Sequence, residues 1–74
     1  MKVEVRLFAT FREGREKKYI FELTENSKVS DIIYILKIKE KEIGILLVNG
    51  RDADVKRELY DSDVVAIFPP VGGG

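Results

Sequence analysis

The chain has 74 residues, 35% of them charged, with 13 Lys and Arg offset by 13 Asp and Glu, and it contains neither cysteine nor histidine. A chain of this length supports one thin core, and without Cys or His it lacks a disulfide, a thiolate metal site, a thiol nucleophile and an imidazole base, so self-contained catalysis is not expected. The balanced charge gives no net field to gather nucleic acid, and the longest apolar run, Ile43 to Val48, is interrupted by Gly44 and falls far short of the roughly 20 residues of a membrane span.

From Lys2 to Ala9 the residues alternate, with Val3, Val5, Leu7 and Ala9 on one face and Lys2, Glu4 and Arg6 on the other, the period of a half-buried strand. A polar stretch with Gly14, suited to positive φ, leads to a second alternating run at Tyr19, Phe21 and Leu23, so the two strands form a hairpin. Val29, Ile32, Ile33 and Leu36 then recur at helical spacing, which predicts one helix over roughly Val29 to Lys39. Ser27 and Ser30 are candidate N-caps, Asp31 suits the positive end of the helix dipole, and Lys37, Lys39 and Lys41 suit its negative end.

Ile45 to Val48 reads as a third strand turning at Asn49-Gly50, the pair that most readily supplies two positive φ angles. A polar, irregular stretch follows, holding Asp52, Asp54, Lys56 and Arg57 and at most a short strand. Asp61-Ser62-Asp63 marks a turn into a last strand, Val64 to Phe68, which Pro69-Pro70 ends. A single helix crossing one face of a mixed sheet of four or five strands accounts for this order. The expected class is α+β, with a β-grasp arrangement.

The division expected is a β-grasp domain over 1–68 and an extended flexible tail over 69–74. Pro69 and Pro70 favour an extended path, Val71 follows, and Gly72, Gly73 and Gly74 remove every side chain from the tip. Six such residues reach on the order of 20 Å. The implied product is a narrow thread ending in a carboxylate.

Three segments together resemble the sulfur-carrier branch of the ubiquitin-like superfamily, most closely the small subunit of molybdopterin synthase. They are Val5-Arg6-Leu7-Phe8-Ala9 with Phe11-Arg12-Glu13, Leu47-Val48-Asn49-Gly50-Arg51, and Asp63-Val64-Val65-Ala66-Ile67-Phe68-Pro69-Pro70-Val71 with the terminal glycines. The resemblance covers essentially the whole chain. It departs at Gly72, where such proteins more often have Ala or Ser, and over Lys39 to Gly44, which is short for the molybdopterin branch.

The resemblance implies a non-catalytic carrier of sulfur for molybdenum cofactor biosynthesis. An adenylyltransferase similar to ubiquitin-activating enzymes, using ATP and magnesium, would activate the Gly74 carboxylate. A sulfur donor protein would convert it to a thiocarboxylate, and the large subunit of molybdopterin synthase would receive the tail. No cofactor or metal is expected on this chain itself. Carriers for thiazole, tungsten cofactor or tRNA thiolation share the fold and the diglycine, as do protein modifiers conjugated through the terminal glycine, so these pathways stay open. Met1-Lys2 leads into alternation rather than an apolar leader, so a cytoplasmic location with no membrane or nucleic-acid partner is expected.

A docking surface is expected beside the tail. If Val3, Val5 and Leu7 face the helix, Phe8 faces outward, and parallel pairing of the first and last strands brings Phe68 beside it. Leu46 or Val48 is expected to extend this apolar patch, and Arg12 is positioned to meet an acidic partner.

Overall fold

The computed structural model describes residues 1–70. The strand β1 (Lys2–Leu7) pairs antiparallel with β2 (Lys18–Glu22), as the alternation requires. After β2 the chain forms a single helix, α1 (Val29–Ile35), and returns through β3 (Ile45–Val48), the two-residue β4 (Arg51–Asp52) and β5 (Val64–Phe68). The sheet order is β2-β1-β5-β3-β4. Among the described residues only β1 and β5 pair in parallel, and both are interior strands of the sheet. This is the β-grasp arrangement expected from the sequence.

One face of the sheet meets α1. Val3, Val5, Leu7, Val65 and Ile67 are fully buried there against Val29 and Ile32, and Leu46 and Val48 join them. Tyr19, Phe21 and Leu23 lie half-buried at the margin of the same cluster.

The first strand ends two residues earlier than the alternation suggests. Ala9 has φ 53 and begins a 3₁₀ turn, Ala9–Arg12, which turns Phe11 rather than Ala9 into the core. The helix is shorter too, because the chain enters a left-handed conformation at Lys37, with φ 59. There the Ile38 N–H donates to the Ile33 carbonyl at 2.9 Å and the Lys37 N–H to that of Tyr34 at 3.1 Å, the paired bonds of a Schellman ending. Ile33 and Ile38 are both buried at this closure, so the apolar spacing outlasts the helix that it advertises. The negative end of α1 is met by Arg15, whose Nε donates to the Leu36 carbonyl at 3.1 Å.

At the other end of α1 neither expected serine caps the helix. Lys28 is the N-cap residue, and its N–H donates to the Asp31 carboxylate at 2.8 Å. Ser27 instead donates its hydroxyl to the Thr24 carbonyl at 2.8 Å.

Asn49 and Gly50 take the two positive φ values of a hairpin turn, 54 and 81. Asn49 is also tied to the start of β5. Its Oδ1 accepts from the Val64 N–H at 2.9 Å, while its Nδ2 donates to Asp63 Oδ1 at 2.8 Å. Asp63 is buried, and its Oδ2 accepts from the Tyr60 N–H at 2.8 Å and from Arg57 at 2.9 Å. Burial pushes the Asp63 carboxyl pKa up, but the donors from Tyr60, Asn49 and Arg57 outweigh it and hold the pKa below the usual carboxylate value. One carboxylate therefore locks the loop before β5 to the β3–β4 turn.

Candidate functional site

The parallel register of the two central strands decides what stands at the carboxyl end of β5. Leu7 pairs with Ile67, and both point into the core. The next residue on each strand points to the opposite face. Phe8 and Phe68 are thereby brought ring to ring, with centroids 4.2 Å apart and an interplanar angle of 10°.

Arg12 adds a third layer. Its Nε donates to the Leu7 carbonyl at 2.7 Å, which holds its guanidinium carbon 5.2 Å from the Phe8 ring centroid. The cation and the two rings form a stack of Arg12, Phe8 and Phe68, with both phenylalanines half-buried and Arg12 exposed. Each such aromatic or cation–π contact contributes on the order of 0.5–1.5 kcal/mol. The three residues singled out for docking are thus brought together.

The third strand extends this face with different residues from those expected. Leu46 pairs with Ile67 and Val48 with Val65, so both share the inward face. Ile45, beside Phe68, and Leu47, beside Ala66, are the residues that face outward. Ile45 is 43% exposed. Alternation alone could not choose between the two pairs; pairing with β5 does.

Phe68 ends β5 and leads directly into Pro69 and Pro70. The Gly44 N–H donates to the Phe68 carbonyl at 2.8 Å, one rung beyond the paired residues of β3 and β5. A Cβ at Gly44 would stand 2.5 Å from the Pro70 Cα and 2.7 Å from both the Pro69 oxygen and the Pro70 nitrogen. Gly44 has a negative φ, so it is close approach that requires glycine here rather than backbone conformation. The only advance signal was a glycine interrupting an apolar run, which is a mark of close backbone approach. The remaining candidate positions, Val71, Gly72, Gly73 and Gly74, lie outside the described residues.

Among the described residues no group of three or more acidic, His or Cys side chains is placed to hold a metal ion, and no helix is long and apolar enough to cross a membrane. What the site presents is an outward apolar face next to the point where the last strand ends.

The sheet order, the single helix and the parallel central pair define a ubiquitin-like β-grasp protein. The ThiS family model matches residues 5–74, and the chain belongs to that family of ubiquitin-like sulfur carriers and modifiers. Small archaeal modifier protein 3 from Haloferax volcanii is 33% identical, with 100% of both chains covered. The structure of a molybdopterin converting factor subunit 1 from Pyrococcus furiosus matches with a TM-score of 0.77 at 34% identity, covering 96% of this chain and 99% of that one. A chain in the complex of subunits 1 and 2 of the molybdopterin-converting factor from Helicobacter pylori matches at a TM-score of 0.68 and 30% identity, with 100% of both chains covered.

Proposed function

We propose that this protein carries sulfur as a thiocarboxylate on Gly74 and donates it in molybdopterin biosynthesis. The observation that carries the reading is the family match running through residue 74, on a chain whose last strand is followed by Pro69-Pro70 beside an outward apolar face. The two molybdopterin-converting-factor matches, at 34% and 30% identity, favour that pathway among those open to the family.

The chemistry begins with a poor electrophile. The Gly74 carboxylate attacks the α-phosphate of ATP bound with magnesium on an adenylating partner, forming an acyl adenylate and releasing pyrophosphate. Sulfur at the hydrosulfide oxidation level, supplied by a donor protein, then attacks the acyl carbon. A C–S bond forms, the bond from the acyl carbon to the phosphate oxygen breaks, and AMP leaves with the electron pair. The thiocarboxylate is a soft nucleophile, which lets a cysteine-free chain carry sulfur.

The division of labour follows from the sequence. Residues 1–68 supply a folded docking body, and 69–74 form a tail in which glycines at 72, 73 and 74 present no Cβ to a narrow active site. Phe8, Phe68 and Arg12, with Ile45 and Leu47, form the surface that the adenylating enzyme and the large synthase subunit would cover. The chain itself is a non-catalytic subunit acting in the cytoplasm.

A second reading is favoured by the match to a modifier protein: the same acyl adenylate passed to a lysine amine, giving an isopeptide bond through Gly74. Removing Gly73 and Gly74 is expected to abolish either transfer while leaving the fold intact, and unchanged activity would refute both. Gly-Gly remnants on lysines of other proteins from the native host would select the modifier reading. Restoration of molybdopterin formation by the full chain, with no such remnants, would select the carrier.

A further inference from the structure

We infer that Gly44 is a positioning residue for the transfer reaction, its missing Cβ forming a seat that fixes where Pro70 stands and so the point from which the tail begins. The inference rests on the acyl-transfer reading proposed above and assigns a residue to it that is 26 positions away from Pro70 in sequence.

Three observations converge on this residue. The Gly44 N–H to Phe68 carbonyl bond, at 2.8 Å, fastens the end of β5 immediately before the prolines. The two prolines then cross Gly44 so closely that a Cβ would lie 2.5–2.7 Å from their backbone atoms. Those atoms belong to the main chain, where a rotamer change gives no relief. Gly44 is exposed and has a negative φ, so alanine would fit its backbone, and the three nearest atoms that its Cβ would meet all belong to Pro69 and Pro70. The missing Cβ therefore serves the crossing of the prolines.

The proline rings make such a seat effective. Each fixes its own φ near −65°, so Pro69-Pro70 passes on a position set at Gly44 more faithfully than flexible residues would. A methyl at residue 44 must push Pro70 outward by about 1 Å to regain ordinary contact, and a misplacement of that size at a reacting group costs about 100-fold in rate. The glycines that follow can absorb part of the shift, so about tenfold is the expected loss. The outward face carrying Phe8 and Phe68 is untouched, and docking should be preserved.

The test is steady-state adenylation of the full chain by its adenylating partner, with thermal unfolding measured alongside. Gly44→Ala is expected to lower kcat about tenfold with KM held within about twofold of wild type, the signature of an interaction realised only when the tail is in place. An unchanged kcat would overturn the inference. So would a raised KM with unchanged kcat, which would make Gly44 a docking contact. Should Gly44→Ala fail to fold, Pro70→Gly loosens the other side of the same contact at an exposed position. It is expected to give the same split, and a wild-type kcat for it would overturn the inference. Failure of the wild-type chain to be adenylated would remove the acyl-transfer reading itself and this inference with it, and is distinguished by affecting all chains alike.

Discussion

Replacing Asp63 by Asn changes one buried carboxylate oxygen into an NH₂ and tests how the start of β5 is held. The carboxylate accepts from Asn49 on Oδ1 and from the Tyr60 N–H and Arg57 on Oδ2. An amide oxygen can satisfy Tyr60 and Arg57, but its NH₂ then faces the NH₂ of Asn49. Asn49 cannot escape by flipping, because its own oxygen accepts from the Val64 N–H. One donor–donor conflict is unavoidable, and the expected cost is about 1–3 kcal/mol at pH 7.

The pH dependence follows from the direction of the Asp63 shift. Its folded-state pKa lies below the unfolded value because the hydrogen-bond donors and Arg57 outweigh burial. The stabilisation is therefore complete above the unfolded pKa and lost as the pH falls through the lowered folded value, beginning below about pH 5. Urea unfolding of wild type and Asp63→Asn across this range isolates the group, since the other carboxylates titrate in both chains. The gap in stability is expected to narrow toward acid. A gap that is constant with pH, or that widens below about pH 5, would refute the network account.

Two further substitutions probe separate parts of the molecule. Lys37 is exposed, at φ 59, so Lys37→Gly should relieve a left-handed residue and raise stability by up to about 1 kcal/mol, seen as a melting point a few degrees higher. Phe68→Asp should leave a cooperatively folded domain, since the side chain lies outside the core. It should weaken binding to the large synthase subunit or the adenylating enzyme by about 2 kcal/mol or more, near 30-fold by titration calorimetry. Unfolding, or unchanged affinity, would remove the outward face from the docking surface.

The sequence was most informative where local pattern and tertiary role coincide. Alternation located β1 and β2, and the turn signals at Asn49-Gly50, Asp61-Ser62-Asp63 and Pro69-Pro70 located β3 and β5, because strand period and turn chemistry are both written in consecutive residues. The same reasoning overran at Ala9 and Lys37. At each, the apolar pattern continues while the backbone turns left-handed, and the burial is taken over by Phe11 and Ile38. The outward face was half legible. Parallel pairing anticipated Phe8 beside Phe68, but choosing Ile45 and Leu47 over Leu46 and Val48 required the β3–β5 register. Gly44 and Asp63 act through partners distant in sequence, respectively the prolines after β5 and Asn49 with Arg57, so their roles could not be read locally.

The central claim concerns the carboxyl group of Gly74, and mass spectrometry of the C-terminal peptide from protein made in its native host tests it most directly. The expected result is a fraction of that peptide heavier by the exchange of one oxygen for one sulfur, which gains one alkyl group as a thioester on alkylation and reverts to the carboxylate on hydrolysis. An exclusively unmodified carboxylate, in cells where the adenylating and sulfur-donating partners are active, would contradict the carrier account.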